Sequence, residues 1–107
     1  MSELKAPLNV QVEAHDDSVV LVLVGELDPH TAPSLRDHLT SAVGDTTTEV
    51  VLDVGGLTFI DSSGLRVIIA AHKDMEGRGG RLVLRSPTAT TRRLLDITGL
   101  ADHIVVE

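Results

Sequence analysis

The 107-residue chain contains no cysteine, tryptophan or tyrosine, and its only aromatic residue is Phe59. Without cysteine, neither a disulfide framework nor a thiolate metal site can form. With one aromatic ring, the core has to be built from Val, Leu, Ile and Ala, and a pocket that stacks on a planar group is not expected. We therefore expect no cofactor. The sequence leaves open whether Phe59 belongs to the core or is an exposed anchor for a partner.

Positive charge is also scarce. Nine basic residues stand against sixteen acidic ones, which gives a formal net charge of -7. This charge repels the phosphate backbone, so direct binding of nucleic acid is not expected. No apolar run approaches the roughly 20 residues that a membrane-spanning helix needs, and residues 1–7 lack the basic-then-apolar pattern of a signal peptide. We expect a soluble cytoplasmic protein with no membrane partner.

The length of the chain suits one closed hydrophobic core, so we predict a single domain over residues 1–107. Residues 8–14 alternate between apolar and polar side chains, as in a half-buried strand. Residues 15–18 have the composition of a turn. Residues 19–24 form an almost continuous β-branched run, which predicts a strand covered on both faces. The two strands are expected to pair as a hairpin.

The remainder of the chain predicts alternating helices and strands. Apolar residues recur at helical spacing in three segments, and short apolar runs predict the strands between them, with the third strand at the centre. The predicted elements are a helix over residues 32–43, a strand over residues 49–54, a helix from about Ser63 to Met75, a strand over residues 81–85, a helix over residues 88–98 and a strand over residues 103–106. The order β-β-α-β-α-β-α-β with right-handed crossovers predicts an α/β fold, in which helices flank a mostly parallel sheet.

The stretch from Leu57 to Leu65 leads from a strand through two hydroxyls into the first turn of the second helix. Ser62 or Ser63 is predicted to be the N-cap, whose oxygen accepts a backbone N–H that otherwise has no partner. A hydroxyl at this position also projects from the surface, where the free N–H groups and the helix dipole tolerate a phosphate. Capping and modification are compatible interpretations.

Other candidate sites are weaker. The sequence has no Gly-x-Ser-x-Gly motif and places no histidine as a base, so we expect no catalytic residue and no enzymatic activity. Residues 77–80 are rich in glycine, but they follow a helix and precede a strand, which is the wrong order for a phosphate-binding loop. Residues 15–17 and 28–30 lack a complete ligand set, so no metal site is expected. His72 is predicted to be a packed, hydrogen-bonded core residue.

Five segments match the pattern of a known protein family in order and spacing, over nearly the whole chain. They are residues 25–28 (Gly-Glu-Leu-Asp), 51–53 (Val-Leu-Asp), 59–65 (Phe-Ile-Asp-Ser-Ser-Gly-Leu), 79–82 (Gly-Gly-Arg-Leu) and 94–100 (Leu-Leu-Asp-Ile-Thr-Gly-Leu). With them the chain resembles the bacterial anti-sigma factor antagonists of the STAS family, and the resemblance implies the STAS fold. Many members continue into a further helix, whereas this sequence stops at Glu107 after the last predicted strand.

The resemblance also implies a partner-switching function. The unmodified domain would bind an anti-sigma factor and free a sigma factor. The same anti-sigma factor would be an ATP-binding serine kinase that modifies Ser63, and a serine phosphatase would reverse the modification. Ser62 is the second candidate for the modified hydroxyl. The residues expected to contact the partner are Asp28, Asp61, Ser62, Gly64 and Leu65.

Two other function classes stay open. An unmodified STAS adaptor in a transporter or signalling assembly would share the fold, and phosphorylation of Ser63 would distinguish the switch from it. A small-ligand or nucleotide-binding module would need a pocket that this aromatic-poor sequence does not indicate.

Overall fold

The computed structural model describes residues 8–107. Residues 1–7, where no signal peptide was expected, lie outside the described residues. The elements follow the predicted order: β1 (Asn9–His15), β2 (Ser18–Leu27), α1 (Ala32–Ala42), β3 (Glu49–Ile60), α2 (Ser62–Gly77), β4 (Arg81–Arg85), α3 (Ala89–Thr98), a 3₁₀ turn (Leu100–Asp102) and β5 (Val105–Val106). No helix in this part of the chain is long and apolar enough to cross a membrane.

The sheet has the strand order β1-β2-β3-β4-β5. β1 pairs antiparallel with β2, and all other neighbours are parallel. The predicted hairpin, the mostly parallel sheet and the central position of β3 are confirmed. Each parallel strand is added on the same side of the previous one, so right-handed crossovers place α1, α2 and α3 on one face of the sheet. We call this the core face, and the opposite one the second face.

The core lies between the core face and the three helices. The sheet contributes Val19, Leu21, Leu23, Val50, Leu52, Val54, Leu82 and Leu84, and the helices contribute Leu35, Leu39, Leu65, Val67, Ile68, Met75 and Leu95, all of them buried. Each fully buried side chain of this kind stabilises the fold by about 1.5–3 kcal/mol relative to its exposed state. An aliphatic core without aromatic rings, as the composition required, is therefore enough to close the domain.

The prediction that β2 is covered on both faces is wrong. Its side chains mostly alternate between buried and partly exposed, and Val24 on the second face is 50% exposed. A run of β-branched residues carries no period from which the number of covered faces can be read. Because the described helices all lie on the core face, the second face of β2 has no helix above it. The buried side chains on the second face belong to the two neighbouring strands: Val51 of β3 is 4% exposed and Val83 of β4 is 0% exposed.

The side chains of β1 are more exposed than predicted, because β1 lies at the edge of the sheet. Val10 and Val12 lie opposite Leu23 and Leu21, so they face the core side as predicted. Directly opposite residues of an antiparallel pair share a face. Val12 is nevertheless 43% exposed, because β1 has a neighbour on one side only. The prediction of a half-buried strand is therefore wrong, because six of the seven residues of β1 are exposed and only Val10 is partly buried.

Several predicted boundaries are wrong. β2 was expected over residues 19–24 but covers Ser18–Leu27. β3 was expected to end at Val54 but continues to Ile60, and Leu57 and Ile60 add two more buried side chains to the core. The last strand was expected to start at residue 103, but it covers only Val105–Val106 because a 3₁₀ turn precedes it. The extension of β3 matters for function, because it brings the strand directly to the start of α2.

Candidate functional site

Two loops meet where β2 and β3 end. The backbone N–H of Asp61 donates to the carbonyl oxygen of Leu27 over 3.3 Å. The loop after β2, which contains Asp28, therefore lies against the loop after β3, which leads to Ser62 and Ser63. The structure thus brings Asp28, Asp61 and both serines to the same edge of the sheet.

The N-cap of α2 is Asp61, and the prediction of Ser62 or Ser63 as the cap is wrong. Oδ1 of Asp61 accepts the backbone N–H of Ser63 at 2.9 Å and that of Gly64 at 3.4 Å. A carboxylate in this position satisfies two of the free N–H groups and interacts favourably with the helix dipole, which together contribute about 1 kcal/mol. α2 consequently starts at Ser62, one residue before the predicted start. Aspartate caps a helix as well as serine does, so composition alone did not decide between them.

The hydroxyl groups of Ser62 and Ser63 do not cap α2. Ser62 is exposed and Ser63 is partly exposed in the first turn of α2. Within residues 8–107, neither side-chain oxygen has a hydrogen-bond partner. The cap that they were expected to supply is already provided by Asp61. Each hydroxyl is therefore available for contact or modification without loss of an internal bond.

Gly64 and Leu65 lie below the surface. A Cβ atom on Gly64 would stand 2.5 Å from Cγ of Leu27, and Leu27 itself is fully buried. Only glycine allows α2 to approach the end of β2 this closely. Leu65 is 4% exposed and belongs to the core. Of the residues expected to contact a partner, these two hold α2 in place, while Asp28, Asp61 and Ser62 remain at the surface or partly exposed.

A hydrogen-bond network organises the loop that carries Asp28. Oδ1 of Asp28 accepts the backbone N–H groups of His30 and Thr31, both at 2.9 Å. The hydroxyl of Thr31 donates to the carbonyl oxygen of Glu26 at 2.7 Å and accepts the backbone N–H of Asp28 at 3.0 Å. The hydrogen bond from the Thr31 backbone N–H is the largest cause of the lowered pKa of Asp28. Thr31 was missed from the sequence, although an Asp followed three residues later by Thr before a helix indicates such a turn.

The structure also shows the surroundings of Phe59 and His72. Phe59 is 47% exposed, so it is not a core residue. The side chain of His72 is 12% exposed, as expected for a packed residue, and its Nε2 lies 3.7 Å from a carboxylate oxygen of Glu76. The expectation that its ring is hydrogen-bonded is wrong, because Nδ1 is buried and has no hydrogen-bond partner among residues 8–107. Among residues 8–107, no cluster of three or more His, Asp or Glu side chains could hold a metal ion.

A groove of about 570 Å³ lies between α1 and α2. Leu39, Val67 and Met75 contribute to its apolar lining, and Arg36 and Arg78 add positive charge. None of its lining residues belongs to the loops around Asp28 and Ser63. The groove is thus separate from the candidate site.

Comparison with known proteins identifies the fold and the relatives of the chain. A family model described as "STAS domain" matches residues 9–107. An anti-sigma F factor antagonist of Paenibacillus polymyxa is 35% identical over 94 residues, which cover 87% of this chain and 80% of that protein. The resemblance drawn from the five sequence segments is confirmed.

Solved structures agree with this similarity. A crystal structure of an anti-sigma factor antagonist from Mycobacterium paratuberculosis superimposes with a TM-score of 0.84 at 30% identity, over 96% of this chain and 89% of that one. The anti-sigma factor antagonist SpoIIAA matches in its unphosphorylated form with a TM-score of 0.76, 26% identity and coverage of 92% and 87%. Its phosphorylated form, from Bacillus, matches with a TM-score of 0.73, 28% identity and coverage of 92% and 91%.

The contact between Gly64 and Leu27 yields a first prediction. Replacing Gly64 by Ala forces a methyl group into the buried Leu27 side chain, so the free energy of unfolding should fall by about 1–3 kcal/mol. Urea denaturation measures this quantity. Gly77→Ala is the matched control, because no atom of the described residues lies within 4 Å of the added Cβ. Equal stability of the two variants would contradict the proposed close packing.

The network around Asp28 yields a second prediction. The folded-state pKa of Asp28 is lowered, so this carboxylate stabilises the fold above the ordinary aspartate pKa. That contribution should be lost as the pH falls through the lower folded-state pKa. Titration of the side-chain carboxyl by NMR should give a midpoint below the usual aspartate range. In Asp28→Asn this part of the acid-induced loss of stability should vanish; an ordinary midpoint in the wild type would refute the assignment.

Proposed function

The chain belongs to the STAS domain family, and from this we propose that it is an anti-sigma factor antagonist whose binding to an anti-sigma factor is switched by phosphorylation of Ser63. One observation carries the proposal. Ser63 lies in the first turn of α2, directly behind the Asp61 cap, with a hydroxyl that has no partner among the described residues. The similarity to SpoIIAA supports it, because that protein has been solved in both phosphorylated and unphosphorylated forms.

The proposed partner is an anti-sigma factor that is also a serine kinase and binds ATP. In the reaction, the Ser63 hydroxyl oxygen attacks the terminal phosphorus of ATP, the bond to ADP breaks, and the hydroxyl proton leaves to a base supplied by the kinase. The STAS chain itself contributes only the acceptor oxygen. A serine phosphatase hydrolyses the ester and restores the binding form. The unmodified domain occupies the anti-sigma factor and thereby frees a sigma factor.

The fold is suited to tolerate this modification. A phosphoserine carries about -1.5 to -2 charges at neutral pH. A charge of this sign near a helix N-terminus changes stability by about 1 kcal/mol or less when it is exposed to solvent. The Ser63 hydroxyl has no internal hydrogen bond to lose, and Asp61 continues to cap the helix. Folding should therefore respond little to the modification.

An interface responds far more strongly. One new like-charge contact at about 4 Å costs on the order of 4 kcal/mol at an effective dielectric constant of 20, which corresponds to about a thousandfold in affinity. Asp28 and Asp61 already place negative charge at this edge of the sheet. The phosphate adds to their field, so a surface that accommodates the neutral hydroxyl is repelled by the ester. Phosphorylation is therefore proposed to change the affinity for the anti-sigma factor and to leave the stability of the fold nearly unchanged.

Phosphorylation mapping tests the choice of residue. The purified chain is incubated with candidate anti-sigma factor kinases and ATP, and the sites are assigned by mass spectrometry. We expect a single phosphate on Ser63, none in Ser63→Ala, and normal modification in Ser62→Ala. A phosphate on Ser62 would move the site by one residue. A chain that binds the kinase but is never phosphorylated would favour the adaptor function.

A charge substitution tests the mechanism of the switch. Ser63→Asp should weaken binding to the anti-sigma factor by up to about a thousandfold, because it adds a negative charge to the interface. Ser63→Asn is the matched control, since it has the same size without the charge. Isothermal titration calorimetry measures both affinities, and the melting temperatures should stay close to that of the wild type. Equal affinity of the Asp and Asn variants would exclude an electrostatic switch.

A further inference from the structure

Phe59 is directed away from the core by an irregularity in β3. Gly25 pairs with Leu57 and Glu26 pairs with Phe59, so Thr58 is an extra residue in β3. A bulge of this kind changes which side chains point to each face. Leu57 and Ile60 both remain buried, whereas Phe59 between them is 47% exposed. Phe59 therefore lies on the second face, at the edge of the sheet where the start of α3 comes alongside the end of β3.

Val24 extends the apolar surface around this ring. Side chains alternate along β2, so Val24 lies on the same face as Glu26, the partner of Phe59. Val24 is 50% exposed and pairs with Gly56. A Cβ atom on Gly56 would stand 2.8 Å from the backbone carbonyl oxygen of Leu23 and 2.9 Å from Cγ2 of Val24, so the glycine lies in close contact with β2 beside the valine. We call Val24, Gly56 and Phe59 the Phe59 patch.

The side of the ring that faces α3 is also open. A cavity of about 110 Å³ lies between the end of β3 and the start of α3, lined among others by Thr58, Phe59, Thr88 and Thr90. The only aromatic ring of the chain is thus partly exposed on the sheet and borders a small hollow. A side chain from another molecule can contact the ring from both directions.

The Phe59 patch is continuous with the candidate site. Glu26 and Phe59 are paired neighbours, Leu27 and Ile60 are the next pair, and Asp28 and Asp61 follow immediately. The Phe59 patch therefore precedes Asp28 and Asp61 along β2 and β3, and Phe59 itself lies two residues before Asp61. Because α2 lies on the core face, the patch and Ser63 are on opposite sides of one sheet edge. A molecule that contacts both has to wrap around the ends of β2 and β3.

We propose that the Phe59 patch is a second anchor for the anti-sigma factor, received by an apolar pocket that basic side chains surround. This rests on the proposed function and names the chemistry of the partner surface. The carboxylates of Asp28 and Asp61 follow the patch along the two strands, and the chain carries a formal net charge of -7, so the complementary rim is basic. An exposed aromatic side chain next to polar groups is the composition of an interface hot spot.

Phe59 and Ser63 are proposed to affect binding of the anti-sigma factor in different ways. Phe59 contributes affinity through contact, whereas Ser63 changes affinity through charge. Since they lie on opposite sides of the sheet edge and share no described hydrogen bond, their effects should be additive. Loss of the ring should lower the affinity of wild type and Ser63→Asp by the same factor. A merely structural role of Phe59 predicts instead that the melting temperature of Phe59→Ala falls together with its affinity.

The test uses the anti-sigma factor kinase that phosphorylates the chain in the mapping experiment. Phe59→Ala should weaken its binding by about tenfold or more, as for a hot-spot aromatic. Val24→Thr keeps the shape of the side chain and adds a hydroxyl to the patch, and it should weaken binding by about threefold to tenfold. Ile97→Ala is the matched control, because Ile97 is 75% exposed on α3 and should leave affinity within about twofold.

The outcomes separate the two proposals. If the wild type binds and both patch variants bind as well as Ile97→Ala, the Phe59 patch is not an anchor and the proposed function stands. If Phe59→Ala loses binding together with its thermal unfolding transition, Val24→Thr decides, since normal binding by a folded Val24→Thr overturns the anchor. If the unmodified wild type binds no anti-sigma factor, the proposed function fails and the anchor falls with it.

Discussion

The close contact between Leu27 and Gly64 sets the geometry on which the rest of the site depends. It fixes the first turn of α2 against the end of β2, where a side chain larger than hydrogen has no room. The Asp61 backbone N–H reinforces the contact by donating to the Leu27 carbonyl oxygen. As a result, Asp28 and the first turn of α2 occupy fixed positions relative to each other. A charge placed on that turn cannot be relieved by movement of the helix, so it acts on whatever approaches from outside.

The site separates the groups that maintain the fold from those that face a partner. Gly64 and Leu65 are buried, and the Asp61 carboxylate is occupied by backbone N–H groups. The hydroxyls of Ser62 and Ser63 are engaged by nothing in the described residues. In the proposed switch, this division allows the domain to accept about two extra negative charges with little change in its own stability. In the proposed complex, the electrostatic cost of the phosphate falls on the interface instead.

Much of the fold was predictable because helices and strands carry distinct periodicities and end signals. α3 is an example, since Thr88 caps its start and Gly99 ends it with a φ of 76°, as its composition indicates. The location of the candidate site at the start of α2 was predictable from the family resemblance of residues 59–65. Three features of the structure were not predictable from the sequence. The uncovered face of β2, the cap at Asp61 and the bulge at Thr58 all depend on how separate elements meet. The exposure of Phe59 follows from that bulge, so a single sequence could not reveal it.

The order of strands in the sheet is the same as their order in the chain. No segment has to be threaded between two others, and each new strand adds to an edge that already exists. Ser18 pairs with Glu49, and Glu49 pairs with Arg81, so every parallel pairing joins strands that follow one another in sequence. Closing loops of this moderate length costs little more entropy than closing shorter ones. Assembly can therefore begin at the β1-β2 hairpin and proceed one unit at a time, in the direction in which a ribosome releases the chain.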